Sequence, residues 1–396
     1  MTDTVLVVIS PLKGFTLPSG KIMLTEKFVD GMKLYKELWD GPILHLCEPA
    51  DQPSGNLDNI EVLAKNSNFD TICAPITDDM LRRSIPKRSL VLASVGEHFN
   101  SVSAICKELG VPCVYVTEYN LRTRHQIVKE YQRSFVHGFW GTLKQTQQEV
   151  AQRRAIANAS GVQCNGLPTY VEYKDLTPRP LLFFDSRTDS SMLANADNIA
   201  RKSAELRQGR KLHLVFSGRI NLMKGVDDLI RVARSLRGLL DDRFHMSICG
   251  DGEYASRLQK EITEEGPADL ITMKGSLDFK TELVPFVTNE ADIFVCCHRQ
   301  GDPSCTYLET MACGVPVVGY DNDAWRELAL FSKSGRATPL GNPSSLARAI
   351  ADLYAAPDGI EAESRRSLDF AKEHTFEKTF ERRIDHLREI ANSHRN

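Results

Sequence analysis

Two cations, a glycine-rich turn and a small polar run ahead of an acid stand at the ends of apolar stretches in the second half of the chain. In FSGRINLMKGVDDLI (residues 216–230) the apolar run ends at Ser217, Gly218 permits close backbone approach, and Arg219 and Lys224 precede the next helical stretch. Two fixed cations at the carboxyl edge of a sheet suit a diphosphate, although solvated loop charges give the same string. ICGDGEYASRL (248–258) places Gly250-x-Gly252-x-x-Ala255 after a strand, which matches the dinucleotide-binding fingerprint and keeps a nicotinamide site among the readings. Two features count against it. The next apolar run, Leu270 to Met273, ends in Lys274 where an acid would hold a ribose, and the turn follows the second strand of its half, whereas the fingerprint belongs to the first.

The most informative stretch is NEADIFVCCHRQGDPSCTYLETMACGVPVVGYDN, Glu290 to Asn322. An apolar strand (Ile293 to Cys297), a polar loop, a helix carrying Glu309, a Gly-Val-Pro turn and a second strand (Pro316 to Tyr320) make a βαβ-like unit. Its loop lies at a strand's carboxyl end, where ligands bind in open parallel sheets. The helix start offers N–H groups and a positive dipole end to a phosphate. Glu309 lies far enough along to accept hydrogen bonds from a ribose or sugar hydroxyl, unless it is simply a surface acid. The outline is that of a nucleotide-sugar site.

The elements that must position these residues follow a βαβα rhythm, which implies parallel sheets. Strands are expected at Val5 to Ile9, Ile43 to Cys47, Thr71 to Ala74, Leu90 to Ser94 and Cys113 to Thr117, with helices at Thr25 to Leu38 and Val102 to Leu109, the latter closed by Gly110 and Pro112. A basic, helix-prone segment, Arg122 to Arg154, leads to a short strand at Gly161 to Cys164. The polar, proline-marked stretch from Gly166 to Gly209 reads as an interdomain connection. A second alternation begins at Leu212: LHLVFSG, a helix from Val226 to Leu240, HMSICG, a helix near Tyr254 to Glu265, LITMKGS and the Glu290 to Asn322 unit. From Glu361 to Ile390, Phe370, Phe376, Phe380, Ile384 and Leu387 recur at near-helical spacing, which predicts a core-facing helix.

A chain of 396 residues exceeds most single cores, so two domains are expected. Hydrophobic residues at 42% and charged ones at 26% describe an ordinary globular protein. A net charge of -3 and a pI near 6.4 argue against a general nucleic-acid binder. The ten cysteines show no C-x-x-C, and Cys296 and Cys297 sit inside an apolar run, so they read as reduced core thiols and not as a metal or disulfide framework. MTDTVLVVISPLKG has an acid, no basic leader region and too short an apolar run to span a bilayer, so a first strand and a cytoplasmic protein are expected.

The order of the three sites resembles the donor half of GT-B glycosyltransferases, specifically the retaining family 4 (glycosyl transferases group 1). The resemblance rests on G-R-x(4)-K-G at 218–225, the G-x-G turn, and L-E-T-M-A-C-G-V-P-V-V at 308–318, close to the family's L-E-A-M-A-x-G-x-P-V-V, and it covers nearly the whole chain. It implies that Arg219 and Lys224 bind the diphosphate and stabilise the leaving group while Glu309 binds the ribose. Such catalysis is electrostatic, with two cations and helix N–H groups aimed at developing negative charge, and it requires no metal. The chain departs from the family's pair of glutamates: Gly301 stands eight residues before Glu309, with Asp302 beside it and GDPSCTY in place of glutamate-glycine-aromatic-glycine. Asp302 substitutes by a one-residue shift, or backbone N–H groups of Ser304, Cys305 and Thr306 hold the sugar. The donor-binding set is then Gly218, Gly250, Gly252, Asp302, Pro303, Ser304, Cys305 and Thr306.

The N-terminal half resembles the family's acceptor domain. PLKGFTLPSGK (11–21) occupies the first βα loop, where Gly14 and Gly20 would let the acceptor or diphosphate approach the backbone, or would simply make the loop flexible. ASVGEHFN (93–100) places His98 where the family often has a histidine near the donor sugar's hydroxyls, a solvated loop histidine being the alternative, and Glu97 is a candidate for orienting the acceptor. Tyr119 stands where the family often shows a histidine, so no role is carried there. Between Leu121 and Arg154 the bases Arg122, Arg124, Lys129, Arg133, Lys144, Arg153 and Arg154 face only Glu130 and Glu149, with Tyr131, Phe135, Phe139 and Trp140 interleaved. A helix of that kind suits an anionic membrane surface and a lipid-linked acceptor; core packing with a solvated charged face is the other account.

The expected fold is therefore α/β of GT-B type, two Rossmann-like, doubly wound domains facing a central cleft that closes on its substrates. Boundaries are expected at 1–185, with a C-terminal helix about 375–396 packing back on it, a linker at 186–209, and a donor domain at 210–374. The implied activity is retaining transfer of a hexose from a nucleoside diphosphate sugar, UDP favoured and GDP open, to a glycan or lipid-linked acceptor in envelope polysaccharide or glycolipid synthesis. Arg219, Lys224, Glu309 and His98 would be catalytic, with no cofactor, no nucleic acid and peripheral membrane contact through 122–154. The alternatives are a catalytically weak sugar-nucleotide-binding subunit and an NAD-dependent oxidoreductase.

Overall fold

The structure is a computed structural model that describes residues 4–53, 59–130, 135–356 and 358–395. It divides into two compact units, one of Met1–Phe183 with Glu377–Asn396 and one of Phe184–Phe376. In the first unit the strands are β1 (Val5–Ile9), β2 (Phe15–Thr16), β3 (Ile22–Thr25), β4 (Ile43–Cys47), β5 (Asn59–Val62), β6 (Asp70–Cys73), β7 (Ser89–Ser94), β8 (Cys113–Thr117), β9 (Gly161–Asn165) and β10 (Pro180–Phe183). Seven of them form a parallel sheet in the order β10-β9-β8-β7-β1-β4-β6. Helices cover such sheets on both faces, so the central strands read as unbroken apolar runs; Leu6, Val7, Leu90, Val91 and Val114 are all fully buried. The order reverses between β1 and β7, which makes their carboxyl ends the switch point of this unit.

The strands expected from the sequence appear within one residue at each end. The loop after β1 differs: it is a hairpin whose strands β2 and β3 pair antiparallel with each other and with β5 in a separate three-stranded sheet. These strands are two to four residues long, so no extended apolar run betrays them. The stretch from Gly166 to Gly209 also carries structure, with a helix at Leu167–Tyr173, strand β10 and a helix at Ala196–Arg207.

Residues 186–209, expected as a linker, belong to the second unit. Asn195 caps the helix Ala196–Arg207 in a reciprocal box with Asn198. Ile199 is buried with Ala194 and Leu368, Lys202 Nζ donates to Ala291 O at 2.7 Å, and Ala194 N donates to Ala312 O at 2.8 Å. A polar helix carrying one buried apolar anchor looks like a connection in one dimension. The expected single tail helix is two: Gly359–Lys372 lies in the second unit and Phe376–Arg395 runs into the first. At the break, Phe376 N donates to Thr188 O at 2.9 Å. Beyond it Phe380 meets the Tyr35 ring at 4.9 Å, and Arg383 donates to Gln163 Oε1 at 2.8 Å while lying over Phe183.

The second unit holds β11 (Leu212–Ser217), β12 (Phe244–Cys249), β13 (Ile271–Gly275), β14 (Ile293–Cys296), β15 (Val317–Tyr320) and β16 (Arg336–Thr338). All pair in parallel in the order β13-β12-β11-β14-β15-β16. Renumbered within the unit this is 3-2-1-4-5-6, the doubly wound order, with its switch point between β11 and β14. The helix Val226–Leu240 buries Leu229, Val232, Ala233 and Leu236 and runs beside the helix Pro343–Ala355. Cys296 and Cys297 are buried, and the cysteines are free thiols.

Candidate functional site

The loops that carry the chemistry follow β11 and β14, the two strands that flank the switch point of the second unit. After β11, Asn221 Oδ1 accepts from Lys224 N at 3.1 Å and closes a single turn, Leu222–Lys224. Gly225 follows with φ 64, and a side chain there would meet Cys297 O at 2.0 Å, so this loop rests directly on the end of the neighbouring strand. Lys224 Nζ then lies 3.1 Å from Asp302 Oδ2, with both side chains about six-sevenths buried. Arg219 is exposed, its carbonyl accepts from Asn221 N at 3.0 Å, and its guanidinium has no hydrogen bond or ion pair among the described residues, so it is available to a ligand.

Arg299, which sequence reasoning missed, ties the two loops together. Its N–H donates to Met223 O at 3.0 Å and its Nη1 to Leu222 O at 3.2 Å, while Nη2 donates to Asp227 Oδ2 at 2.7 Å and Asp228 Oδ2 at 2.9 Å. Burial disfavours its charge, but the two carboxylates outweigh that and raise the guanidinium above its ordinary range. Tyr320 OH completes the cluster with a bond to Asp228 Oδ2 at 3.1 Å. Arg299 could have been singled out by its place in the β14 loop, yet its partners lie 71 and 72 residues away.

Glu309 is buried as the fifth residue of the helix Cys305–Ala312, just past its first turn. Arg187 grips it with both arms, Nε to Oε1 at 2.8 Å and Nη2 to Oε2 at 3.2 Å, and the same guanidinium lies 4.0 Å from the centre of the Phe279 ring. No local pattern could have pointed to Arg187, since it stands 122 residues from its partner. Ser304 caps the helix without a side-chain bond, and its own N–H donates to Asp302 O at 2.8 Å. Gly301 is buried, and Asp302, Pro303, Ser304, Cys305 and Thr306 are half-buried along the loop and first turn. Cys305 Sγ lies 3.6 Å from Asp185 Oδ2.

Gly250 and Gly252 have a different reason for being glycine from the one the fingerprint suggests. A side chain at Gly250, φ 134, would stand 1.9 Å from Gly218 O, and one at Gly252 would stand 2.5 Å from Ile220 O. The turn after β12 is layered against the loop after β11, joined by Gly218 N to Cys249 O at 3.0 Å and Ile220 N to Asp251 O at 2.9 Å. It thereby fixes the backbone on either side of Arg219. It also lies one strand away from the switch point, whereas a dinucleotide fingerprint follows the first, central strand.

In the first unit the structure gives Gly14 a packing role: a side chain there would meet Ile22 at 2.9 Å and Cys47 and Cys73 at 3.1 Å. Gly20, φ 78, forms the tip of the β2–β3 hairpin with open space around it. His98 and Glu97 are exposed on the loop after β7, at that unit's switch point. Glu97 pairs with Lys144 at 3.0 Å, which lowers its carboxyl below the usual range.

The basic segment is two helices, Leu121–Glu130 and Phe135–Ala157, with Tyr131, Arg133 and the side chain of Phe135 outside the described residues. Glu149, 7% exposed at the side chain, takes up both Arg124 and Arg153. The second helix leaves Phe139 63%, Trp140 62% and Val150 50% exposed, beside Leu143. Among the described residues no helix is long and apolar enough to cross a membrane.

Residues 197–372 match the family model "Glycosyl transferases group 1". Over 168 residues the chain is 29% identical to the GDP-mannose-dependent alpha-(1-6)-phosphatidylinositol monomannoside mannosyltransferase of Mycolicibacterium smegmatis, covering 41% of this chain and 43% of that protein. It is 31% identical over 159 residues to the D-inositol 3-phosphate glycosyltransferase of Paenarthrobacter aurescens, covering 39% and 38%. These matches thus span less than half the length of either relative. Over the whole fold, the crystal structure of Anabaena HepE in complex with UDP superposes with a TM-score of 0.68 at 13% identity, covering 96% of this chain and 98% of that one. Sucrose-phosphate synthase from Thermosynechococcus elongatus gives 0.64 at 14% identity over 98% and 99%. The fold is GT-B, two Rossmann-like units, and the unit that carries the Arg219, Lys224 and Glu309 loops carries the glycosyl transferases group 1 match.

Proposed function

We propose that the protein is a glycosyltransferase that moves a hexose from a nucleoside diphosphate sugar, with retention of configuration, to a glycan or lipid-linked acceptor in envelope polysaccharide or glycolipid synthesis. The observation that carries this reading is the placement of Arg219 and Lys224 on one side of the switch point and the Asp302 to Glu309 segment on the other. A departing nucleoside diphosphate develops negative charge, which two fixed cations and the helix start at Cys305 stabilise without reorganisation. Glu309, held by Arg187, accepts from the ribose hydroxyls. Asp302 to Thr306 engage sugar and phosphate, Gly218, Gly250 and Gly252 shape the backbone beneath them, and His98, with Glu97 beside it, contacts the reacting sugar from its own unit. Charge stabilisation by side chains calls for no metal.

UDP is the favoured donor nucleotide because UDP occupies the solved neighbour; the mannosyltransferase relative keeps GDP in contention. Work at a membrane face is supported by the exposed Phe139 and Trp140, with the exposed Lys144 one turn further along the same helix. The test is release of nucleoside diphosphate from UDP-glucose and GDP-mannose by the full chain and by Lys224→Ala. Loss of a charge aimed at the leaving group lowers turnover by roughly 10²–10³ with the fold intact. Near-normal turnover in that variant would sink the assignment. Gly301 in place of the family's glutamate favours one rival, a sugar-nucleotide-binding subunit, which would bind these donors without consuming them.

A further inference from the structure

Cys47 ends β4 and Cys73 ends β6, and the two are register partners in the parallel sheet of the first unit. Paired positions on neighbouring strands stand about 4.8 Å apart with side chains on one face, inside the roughly 4.4–6.8 Å that a disulfide allows between Cα atoms. The sulfurs converge on the backbone of Gly14. A side chain there would meet each of them at 3.1 Å, Cys73 Sγ donates to Gly14 O at 3.3 Å, and the two thiols are in hydrogen-bond contact with each other. Both are free.

Their surroundings differ in the way a redox pair needs. Cys47 is fully buried, and burial, followed by the Cys73 thiol beside it, pushes its pKa up to about 12, so it keeps its proton. Cys73 is half-buried and reaches solvent. Of the ten cysteines only Cys73 and Cys305 escape full burial, and Cys305 faces a carboxylate, Asp185 Oδ2 at 3.6 Å. Cys106 and Cys113 also touch, but at 1% and 2% exposure they lie where no solute reaches. A thiol pair buried on both sides is packing, whereas an accessible thiol backed by a second one can be oxidised and resolved.

We propose that Cys47 and Cys73 are a modification site, which hydrogen peroxide converts reversibly into a disulfide. Cys73 sulfur attacks the peroxide, so that an S–O bond forms, the O–O bond breaks, and the departing hydroxide leaves as water with the thiol's proton. Cys47 sulfur then attacks the sulfenic sulfur of Cys73; the S–S bond forms, the S–OH bond breaks, and hydroxide takes the Cys47 proton as the second water. The two thiols give up two electrons and the peroxide accepts them, and a dithiol reverses the change by exchange. Closing the bridge removes the S–H donor from Gly14 O and leaves that residue tied by Gly14 N to Glu48 O and Ala50 N to Gly14 O, both at 2.9 Å. The loop after β1 therefore changes its bonding with the oxidation state of two thiols.

The test treats the full chain, Cys73→Ser and Cys47→Ser with hydrogen peroxide, quenches with acid, and reads intact mass and a peptide map. The full chain loses about 2 Da, its map joins the Cys47 and Cys73 peptides, and dithiothreitol restores the mass. In Cys73→Ser, the partly exposed position where a fold defect is least expected, the bridged fraction falls about tenfold or more and Cys47 stays reduced. In Cys47→Ser the oxidation stops on Cys73, which gains roughly 32 Da as sulfinic acid in place of the bridge. Oxygen accumulating on Cys73 of the full chain with no bridge to Cys47 would overturn the proposal. So would a bridge between other cysteines forming first, or a chain untouched by peroxide that fully oxidises free cysteine.

Discussion

Gly250→Ala separates two accounts of the glycine-rich turn. The added methyl lies 1.9 Å from Gly218 O, where a carbon and an oxygen normally keep roughly 3.3 Å or more. The backbone around Gly218 must retreat by more than an ångström, which strains or breaks its bond to Cys249 O and the bond from Ile220 N to Asp251 O. Those two bonds contribute about 0.5–1.5 kcal/mol each, and a non-glycine residue at φ 134 adds about 1–3 kcal/mol of strain. The sum is about 2–6 kcal/mol, and a unit of this size melts roughly 2–4 °C lower for each kcal/mol, so the second unit's transition falls by about 5–20 °C. Differential scanning calorimetry resolves that transition from the first unit's. Gly20→Ala, with φ 78 but open space, serves as the control and shifts the first unit by only a few degrees. Because the turn props the Arg219 loop, the affected variant also loses nucleoside diphosphate affinity. A Gly250→Ala protein that melts and binds like its parent would refute the layering, and a loss of NADH binding alone would restore the dinucleotide account.

Other perturbations follow from the same geometry. Arg299→Ala leaves Asp228, 2% exposed, to Arg231 and Tyr320 alone and removes the partner of Asp227 Oδ2, lowering stability by about 2 kcal/mol in urea unfolding, while Arg299→Lys recovers only part because one ammonium cannot span two carboxylates and a carbonyl. His45 is buried against Phe28 with its pKa driven down to about 3 by desolvation. Its stability contribution is complete above the unfolded histidine value near 6.5 and is lost as pH falls toward 3, with a slope of up to about 1.4 kcal/mol per pH unit. His45→Phe flattens that acid limb in urea midpoints taken between pH 7 and 4.5, and an unchanged slope would acquit the residue. Phe139→Ser with Trp140→Ser abolishes cosedimentation with anionic phospholipid vesicles; undiminished cosedimentation would rule out this face as the contact.

Much of the site was legible because its parts are local. The Arg219 to Lys224 loop and the Asp302 to Glu309 segment each lie within one strand-loop-helix crossover, and apolar runs announce the strands on both sides. What escaped was what one dimension hides. Arg187 and Arg299 meet their acidic partners across 122 and 71 residues, so no spacing reveals them. Gly14 is hemmed in by Ile22 and the thiols of Cys47 and Cys73, and Gly250 by the carbonyl of Gly218; these neighbours come from other loops and strands and are invisible in the spacing. The helix Ala196–Arg207 was mistaken for a tether because its burial rests on Ile199 and on the stem of Lys202.

The return of the last helix to the first unit sets an order of events during synthesis. Residues 4–183 emerge first, yet Gln163 must wait for Arg383, 220 residues later, and the ring of Tyr35 for Phe380. Contacts of that separation are slow to form because a long loop must close before they repay it. Until then Tyr35, Phe183 and the main chain at Gly161 lack the neighbours that Phe380, Arg383, His386 and Ile390 later supply. A chain stopped after Lys372 would retain the whole sheet of the second unit and still lack them. The second unit is thus an insertion within the first, and residues 4–183 are finished only after the segment that follows the insertion.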